Sequence, residues 1–541
     1  MGSLSVVKSN HVFLGQGSPD VRAALVIEGD TIRAVASPEH LAHVVPEGTP
    51  VRDFGDAFIC PGFHDAHQHV FHTSLFRSDL ALSYAGTSEK DCVRRLQEFA
   101  AQHPGDGWLL GQGFRSALWD PPVPPTRASL DEAFPDRPVC MYEGDLHTLW
   151  VNTRGLAELG ITDDTVPPAG GFFDRDADGH LTGVIHEAAG MYYVAKVFAS
   201  LPRQGVLDAY RDYFRMSLSQ GITSVCDMAL CAIPGTDFVY DDIYRELLDA
   251  GQIPMRVHLY PQNVGTFERV ESLQAEFRGK MVQAPGTKQF FDGISSAHTA
   301  WLHEPYANPY FSGDCGRPTV DPEVMRSYVM EAARRGIATR IHTIGDRAVS
   351  TAIDIFAEAR RAYGRPRHGM NAMEHIENLT PADVEAMAKI DLVASVQPQH
   401  VVIDVTQPER DLGPERASFM WPFASYARAG VTMAFGTDSP CVPDSAMRVL
   451  SCAVTREVPQ TNQPSGGWLP QERISMPRAI DAYTRGSARL VGREHELGTL
   501  AAGKLADFVV LDTDLVTADP ERIQDVATVA TYVGGVPVWE A

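Results

Sequence analysis

Between about residues 61 and 490, short apolar runs alternate with longer stretches whose apolar residues recur at three- and four-residue spacing. This is the pattern of strands separated by helices. The strand-like runs are FICPGFHDAHQH, GITSVCDM, MRVHLY, TKQFFDG, ATRIHTIGD, NAMEHIE, LVASVQPQ and VTMAFGTDSP. Helical partners are legible between them, among them DPEVMRSYVMEAARRG and RAVSTAIDIFAEARRAYG. Such alternation predicts an α/β fold with a parallel sheet. Eight strands are what a (β/α)8 TIM-type barrel needs, and catalytic residues of that fold sit at the C-terminal ends of its strands. In most of the runs the polar or ionisable residue falls at that end.

The two ends of the chain read differently. Residues 1–60 and 491–541 are rich in short alternating apolar runs broken by Gly and Asp turn signals, and the last two runs flank a Gly-Gly turn. They predict one small β-sandwich assembled from both termini, leaving 61–490 as the barrel. Between the first and second strands an insert of roughly 77–200, rich in Pro, Gly and aromatics, is too long for an ordinary loop. It reads as a subdomain capping the barrel mouth.

Composition narrows the classes of function. The chain has 541 residues, 44% hydrophobic and 21% charged, enough for a large core. Its formal net charge of −23, with no basic run, makes nucleic acid and anionic membrane poor partners and leaves a small molecule as the expected one. No signal peptide or membrane span is expected. Eight cysteines without a C-x-x-C pair or dense spacing point to a reduced, cytoplasmic setting. Self-association into a homo-oligomer is the one assembly the sequence leaves open.

The chemistry concentrates at strand ends. In His67-Gln68-His69, residues two apart on an extended strand face one side, so two imidazoles converge as metal ligands do. His342, His375 and Asp438 close three later runs with metal-competent groups. Lys288 lies inside an apolar strand, where a charged, unpaired amine costs several kcal/mol, on the order of other buried polar groups. Either it snorkels to water, or it is neutral and reacts with carbon dioxide to give a carbamate able to bridge two cations. The company of the histidines favours the carbamate.

The motifs PGFHDAHQH, TKQFFDG, IHTIGDRAVSTAI, MEHIENLTPADV, SVQPQH, GTDSP, AYTRGSARL and GTLAAGKLADFVVLD, in this order over one chain, resemble the amidohydrolase superfamily, in particular its amidohydrolase-3 branch. That branch is the YtcJ-like group that includes N-substituted formamide deformylase. The insert segments DLHTLWVNTRGLAELGI and PPAGGFFDRDADGHLTGVIHEAA are similar to that branch too. The resemblance implies His67, His69 and Asp438 on one divalent ion and His342 and His375 on a second, with carboxylated Lys288 bridging them. Zinc is the favoured ion, though manganese, iron and cobalt also suit these donors.

The same resemblance implies hydrolysis of a non-peptide carbon–nitrogen bond, in an amide or N-substituted formamide, by a metal-activated hydroxide, with Asp438 as the proton carrier. An ester, lactone or carbamate hydrolase with the same site, and a non-catalytic scaffold, are the competing readings. His147, Trp119 and Arg115 in the insert, and His298, Gln397 and His400 near strand ends, are the candidate substrate-binding residues. Phe71, Phe76, Phe114, Trp119 and Phe291 suggest an apolar pocket. Glu187 reads as a solvated or capping residue, Asp292 as either an acceptor for Lys288 or a turn anchor, and Asp346 as a helix opener. Two motifs depart from the branch: Ser296-Ala297-His298-Thr299 stands where Gly-Ser-Arg-Thr is common, and Asp145-Leu146-His147 where Asp-Gly-His is. The first removes an Arg able to grip an anionic group bidentately.

Overall fold

The computed structural model describes residues 4–84, 86–144, 146–168, 170–231 and 236–541; Asp145 of the insert motif lies outside them. Each apolar run becomes a strand: β1 (Phe63–Gln68), β2 (Ile222–Met228), β3 (Arg256–Tyr260), β4 (Gly286–Phe290), β5 (Ala338–Thr343), β6 (Ala372–His375), β7 (Val393–Val396) and β8 (Met433–Phe435). Strands β1 to β3 pair in parallel in one sheet, which also carries the two-residue strand Val282–Gln283, and β4 to β8 pair in parallel in a second. Every residue of these eight strands is buried except Gln289's neighbour Phe290, which is partly exposed. Burial on both faces is why the runs read as nearly continuous apolar segments.

The edges of the two sheets meet at two seams. At one, Gln262 bridges Lys288, whose N–H donates to the Pro261 carbonyl at 2.9 Å and whose carbonyl accepts from Asn263 at 2.7 Å. At the other, Gln68 bridges Ser439; Asp438 N–H donates to the His67 carbonyl at 2.7 Å and His69 N–H to the Ser439 carbonyl at 3.0 Å. The architecture is of the TIM-barrel type. Both seams run through residues singled out from the sequence for their chemistry.

The helices follow their sequence signals. Pro322–Arg335 starts on Asp321, whose side chain accepts from the Glu323 N–H, and stops at Gly336 with φ 73°. Asp346–Tyr363 buries Val349, Ile353 and Phe356 on one face and keeps Asp346 in its first turn and Arg360 and Arg361 in its last, matching the helix dipole. A π-turn at Ala482–Gly486 packs on β8; a Cβ on Gly486 would stand 1.9 Å from the Met433 carbonyl, so only glycine allows this approach.

The chain ends do share one β unit. Phe508–Leu511 pairs antiparallel with Phe58–Pro61, which lies parallel to Leu4–Val12. The two-sheet sandwich expected for this unit is not distinguished: its hydrogen-bonded strands form one mixed eight-stranded sheet, around an apolar cluster that includes Val7, Leu25, Ile59, Phe508 and Tyr532. The insert builds a separate six-stranded sheet with its own core of Phe114, Trp119, Trp150 and Leu130. Arg115 ties it to the segment after β8, donating to the carbonyls of Gly144 and Cys441, both at 3.1 Å. No helix among the described residues is long and apolar enough to cross a membrane.

The terminal sheet is locked to the barrel by a buried ion pair. Arg256, at the start of β3, donates from Nε and Nη2 to the two carboxylate oxygens of Asp507 at 2.5 and 2.8 Å, and Asp507 also accepts from the Gly534 N–H at 2.8 Å. Removing one partner leaves the other charged and buried, at a cost of roughly 3–5 kcal/mol. Asp507→Ala is therefore expected to lower the midpoint of urea unfolding well beyond the effect of an exposed substitution such as Asp53→Ala, as read by far-ultraviolet circular dichroism.

Candidate metal centre

The residues chosen at four strand ends meet in one buried cluster. Asp438 Oδ1 lies 3.3 Å from His67 Nε2 and 3.1 Å from His69 Nε2, and Asp438 Oδ2 lies 3.6 Å from His400 Nε2. The His375 ring centre is 5.0 Å from that of His67 and 4.5 Å from that of His342. Two triads, His67–His69–Asp438 and His375–His400–Asp438, each place three donor atoms within 4.8 Å of one another. Lys288 is buried at the other seam, its Nζ 4.7 Å from the centre of the Phe290 ring.

His67, His69, His342 and His375 each have one nitrogen held by an acceptor of the protein. His67 Nδ1 is 2.7 Å from Glu374 Oε2, His69 Nδ1 is 2.9 Å from the Met228 carbonyl, His375 Nδ1 is 2.8 Å from Gln397 Oε1, and His342 Nε2 is 3.2 Å from the Gly293 carbonyl. This fixes which nitrogen of each ring remains for a ligand, as the outer partners of metal-bound histidines do. The atoms left inside are orphaned: His67 Nε2, His400 Nε2, Asp438 Oδ1 and Lys288 Nζ are buried without a hydrogen-bond partner among the described residues. Buried polar groups are rarely left so unless something else completes them. The donor set fits a divalent cation.

The electrostatics agree. Burial, reinforced by the Lys288 charge, pushes His67 down to about 4, so its ring is neutral and able to bind metal at pH 7. His342 and His375 are also lowered well below the ordinary imidazole range, chiefly by burial. Asp438 is held well below the usual carboxylate range: burial opposes this, but His67, His69 and His375 outweigh it. Burial draws Lys288 down to about 8, against the pull of Glu374 and Asp438, so a substantial neutral-amine fraction exists near physiological pH.

Glu374, Arg340 and Asp65 were not singled out in the sequence. Glu374 receives Arg340 Nε and Nη2 at 2.6 and 3.0 Å while holding His67; Arg340 Nη2 also donates to the Ala66 carbonyl at 2.6 Å and Ser395 Oγ at 2.9 Å. Asp65 Oδ1 accepts from the N–H groups of His67 and Thr437, both at 3.1 Å, and Oδ2 from Gln68 Nε2 at 2.9 Å and Tyr483 Oη at 3.1 Å. Glu377 also lies close by, pushed up to about 8 by burial and by the carboxylates of Asp292 and Asp438. Sequence proximity alone, Asp65 two residues before His67 and Glu374 beside His375, does not tell which way either side chain faces.

The remaining candidates separate. Gln397 and His400 belong to the cluster: Gln397 orients His375, and the His400 ring stacks on His375 at 5.8 Å with 5° between planes. His147 Nδ1 donates to Glu187 Oε2 at 2.8 Å. Glu187 does open a helix, Glu187–Phe198, but the pair corrects its reading as a solvated group. Trp119 is corrected as well: it packs in the insert's core against Phe114 and Trp150. His298 is clamped between Tyr306 and Tyr310, at 4.0 and 3.9 Å, and bonds Asp314 at 2.9 Å, so neither ring face is left for a substrate. Phe71 and Phe76 pack around His72, and Phe291 against Trp301; with Phe114 and Trp119 they are core, not an open pocket. Asp292 is a turn anchor, accepting from the N–H groups of Trp301, Ile344 and Gly345 at 2.9, 3.0 and 2.7 Å.

A third buried triad, His64–Cys226–His258, is of another kind. Its two rings stack 4.9 Å apart, Arg493 Nη1 reaches to 3.5 Å from His258 Nε2, and burial pushes the Cys226 thiol up to about 12. A cation beside the imidazole and a protonated thiol describe packing, not ligation.

The sequence profile described as "Amidohydrolase family" matches residues 51–539. The chain belongs to the amidohydrolase family. It is 27% identical to putative amidohydrolase YtcJ of Bacillus subtilis (strain 168), over 96% of each chain. It is 25% identical to N-substituted formamide deformylase of Arthrobacter pascens, over 96% of this chain and 95% of that one. The crystal structure of an uncharacterized metal-dependent hydrolase from Pyrococcus horikoshii OT3 superposes with a TM-score of 0.76 at 22% identity, covering 96% of this chain and 99% of the other. This likeness supports the fold.

The role of Glu374 in this amidohydrolase is open to direct test. Glu374→Gln keeps the shape but weakens the acceptor that orients His67, and such outer partners change metal affinity by about 10–100-fold. The expected result is a loss of that size in competition against a chelator, with metal content read by plasma mass spectrometry.

Proposed function

We propose that this protein is a metal-dependent hydrolase that cleaves a non-peptide carbon–nitrogen bond, in an amide or N-substituted formamide, of a small molecule. One observation carries the reading: His67, His69 and His375 each have one nitrogen engaged by a protein acceptor, and each offers a donor atom to a triad that shares Asp438. The formamide deformylase relative, similar over nearly the whole chain, supports the choice of bond. A cytoplasmic setting belongs to the same reading, supported by eight cysteines spaced without a C-x-x-C pair or dense clustering.

His67, His69 and Asp438 would hold one ion, and His342 and His375 a second, with Lys288 as a carbamate between them; zinc is the favoured metal. When bound, the metal supplies Lewis acidity, acidifying water and polarising the scissile carbonyl. The protein's own part is proton handling and positioning. Asp438 is anionic at neutral pH and exposes Oδ2 toward His400, so it takes the proton of the attacking water at that atom and returns it to the leaving nitrogen. Gln397 and Glu374 keep His375 and His67 in the required tautomers. Arg115 and His147, held by the insert, are the residues proposed to meet the substrate at the mouth.

Metal content and hydrolysis of a panel of amides, formamides and esters, measured on wild type and Lys288→Ala, test this directly. Two metals per chain and amide turnover in wild type are expected, with both falling together in the variant. Turnover confined to esters would overturn the choice of bond. A protein that holds no metal after zinc and bicarbonate are supplied would overturn the hydrolase reading altogether.

A further inference from the structure

A cavity of about 750 Å³ lies at the opposite end of the barrel from the metal cluster. It opens where β8 begins, at Val431–Met433, between the terminal sheet (Gln16, Gly17, Thr499, Lys504) and the helical segment 475–489. Asp438 lies five residues beyond Met433, which spans at most about 16 Å. A volume of this size is that of a small-molecule site.

Its charge is unlike the rest of the protein. In a chain of net charge −23, Arg478, Arg485, Arg489 and Lys504 line this cavity against only Asp481 and Glu494. Arg489 is paired with Asp391 at 2.7 Å, and Lys504 donates to the carbonyls of Glu494 and Leu497. Asp481 accepts from the Gln16 N–H at 2.8 Å and also feels the charges of Arg478 and Arg485, without pairing closely with either. Arg478 and Arg485, by contrast, have neither a carboxylate within 4.0 Å nor a hydrogen bond among the described residues, although arginines elsewhere on this acidic surface are commonly paired. Two planar guanidinium forks left open in one concave site suit a multiply charged oxyanion, which each can bind bidentately.

We propose that this cavity binds a small molecule bearing a phosphate or a polycarboxylate, with Arg478 and Arg485 as its principal contacts and Lys504 as a supporting charge. The site is separate from the metal cluster and does not depend on the reaction carried out there.

Calorimetric titration of the full-length, metal-loaded protein with inorganic phosphate, and separately with citrate, at ionic strength held constant with sodium chloride, tests the proposal. Saturable binding of at least one anion, one per chain, is expected; the tighter anion identifies phosphoryl or polycarboxylate chemistry. Arg478→Ala/Arg485→Ala should weaken it tenfold or more and Arg485→Glu should abolish it, with circular dichroism unchanged. Lys280→Ala, which removes an exposed cation elsewhere, should bind as wild type does. Absence of saturable binding by both anions, or wild-type affinity in the double variant, overturns the proposal. So does loss of binding in His67→Ala with retention in the arginine variants, because the anion would then sit on the metal cluster.

Discussion

The buried Arg340–Glu374 pair is the contact on which the site depends. From β5, Arg340 reaches Glu374 on β6, the Ala66 carbonyl on β1 and Ser395 on β7, and its guanidinium lies 4.6 Å from the centre of the Tyr260 ring on β3. One side chain thus reaches four other strands through the barrel interior. Two buried charges are costly to desolvate, and a pair of this kind is poor evidence of net stability. Its consequence is geometric: with both carboxylate oxygens engaged by Arg340, Glu374 Oε2 is fixed where His67 Nδ1 must meet it. The metal-facing nitrogen of His67 is set from the barrel's centre.

Backbone strain collects at the same place. His375 and Asp438 adopt φ of 68° and 61°, a region costly for residues other than glycine. At His375 this conformation turns the chain at the end of β6. Strict alternation along a strand would send adjacent Glu374 and His375 to opposite faces. The turn allows Glu374 to hold His67 while His375 approaches His342, and the β1–β8 seam holds Asp438 in its own strained position through the His67 carbonyl.

This explains which parts of the molecule were legible in the amino-acid sequence. All eight parallel strands could be read because burial on both faces leaves apolar runs with polar ends, and His67, His69, His342, His375 and Asp438 could be found at those ends. Glu374 could not, because the period-two rule assigns it away from His375 and nothing local announces the left-handed turn. His298 and Trp119 misled for the converse reason: a polar or aromatic residue near a motif carries no mark of the tyrosines, tryptophan or aspartate that occupy it from elsewhere in the chain. The terminal segments could be paired from their alternation, but alternation specifies a strand's two faces and not how many sheets the strands form.

The two ends of the barrel are also mechanically continuous. The π-turn that carries Arg485 closes on β8 through Gly486, and its Tyr483 hydroxyl donates to Asp65 in the interior. Asp65 in turn holds the N–H groups of His67 and Thr437, one on each side of the seam that positions Asp438. A displacement of the turn would therefore have to be absorbed by a carboxylate whose other oxygen sets the spacing of metal-cluster strands. Close packing makes such elements shift as units instead of deforming locally. The AYTRG segment thus has a physical reason to be built as it is: it must pack against β8 without a side chain at Gly486, reach the floor of the cluster with Tyr483, and leave Arg485 at the outer cavity.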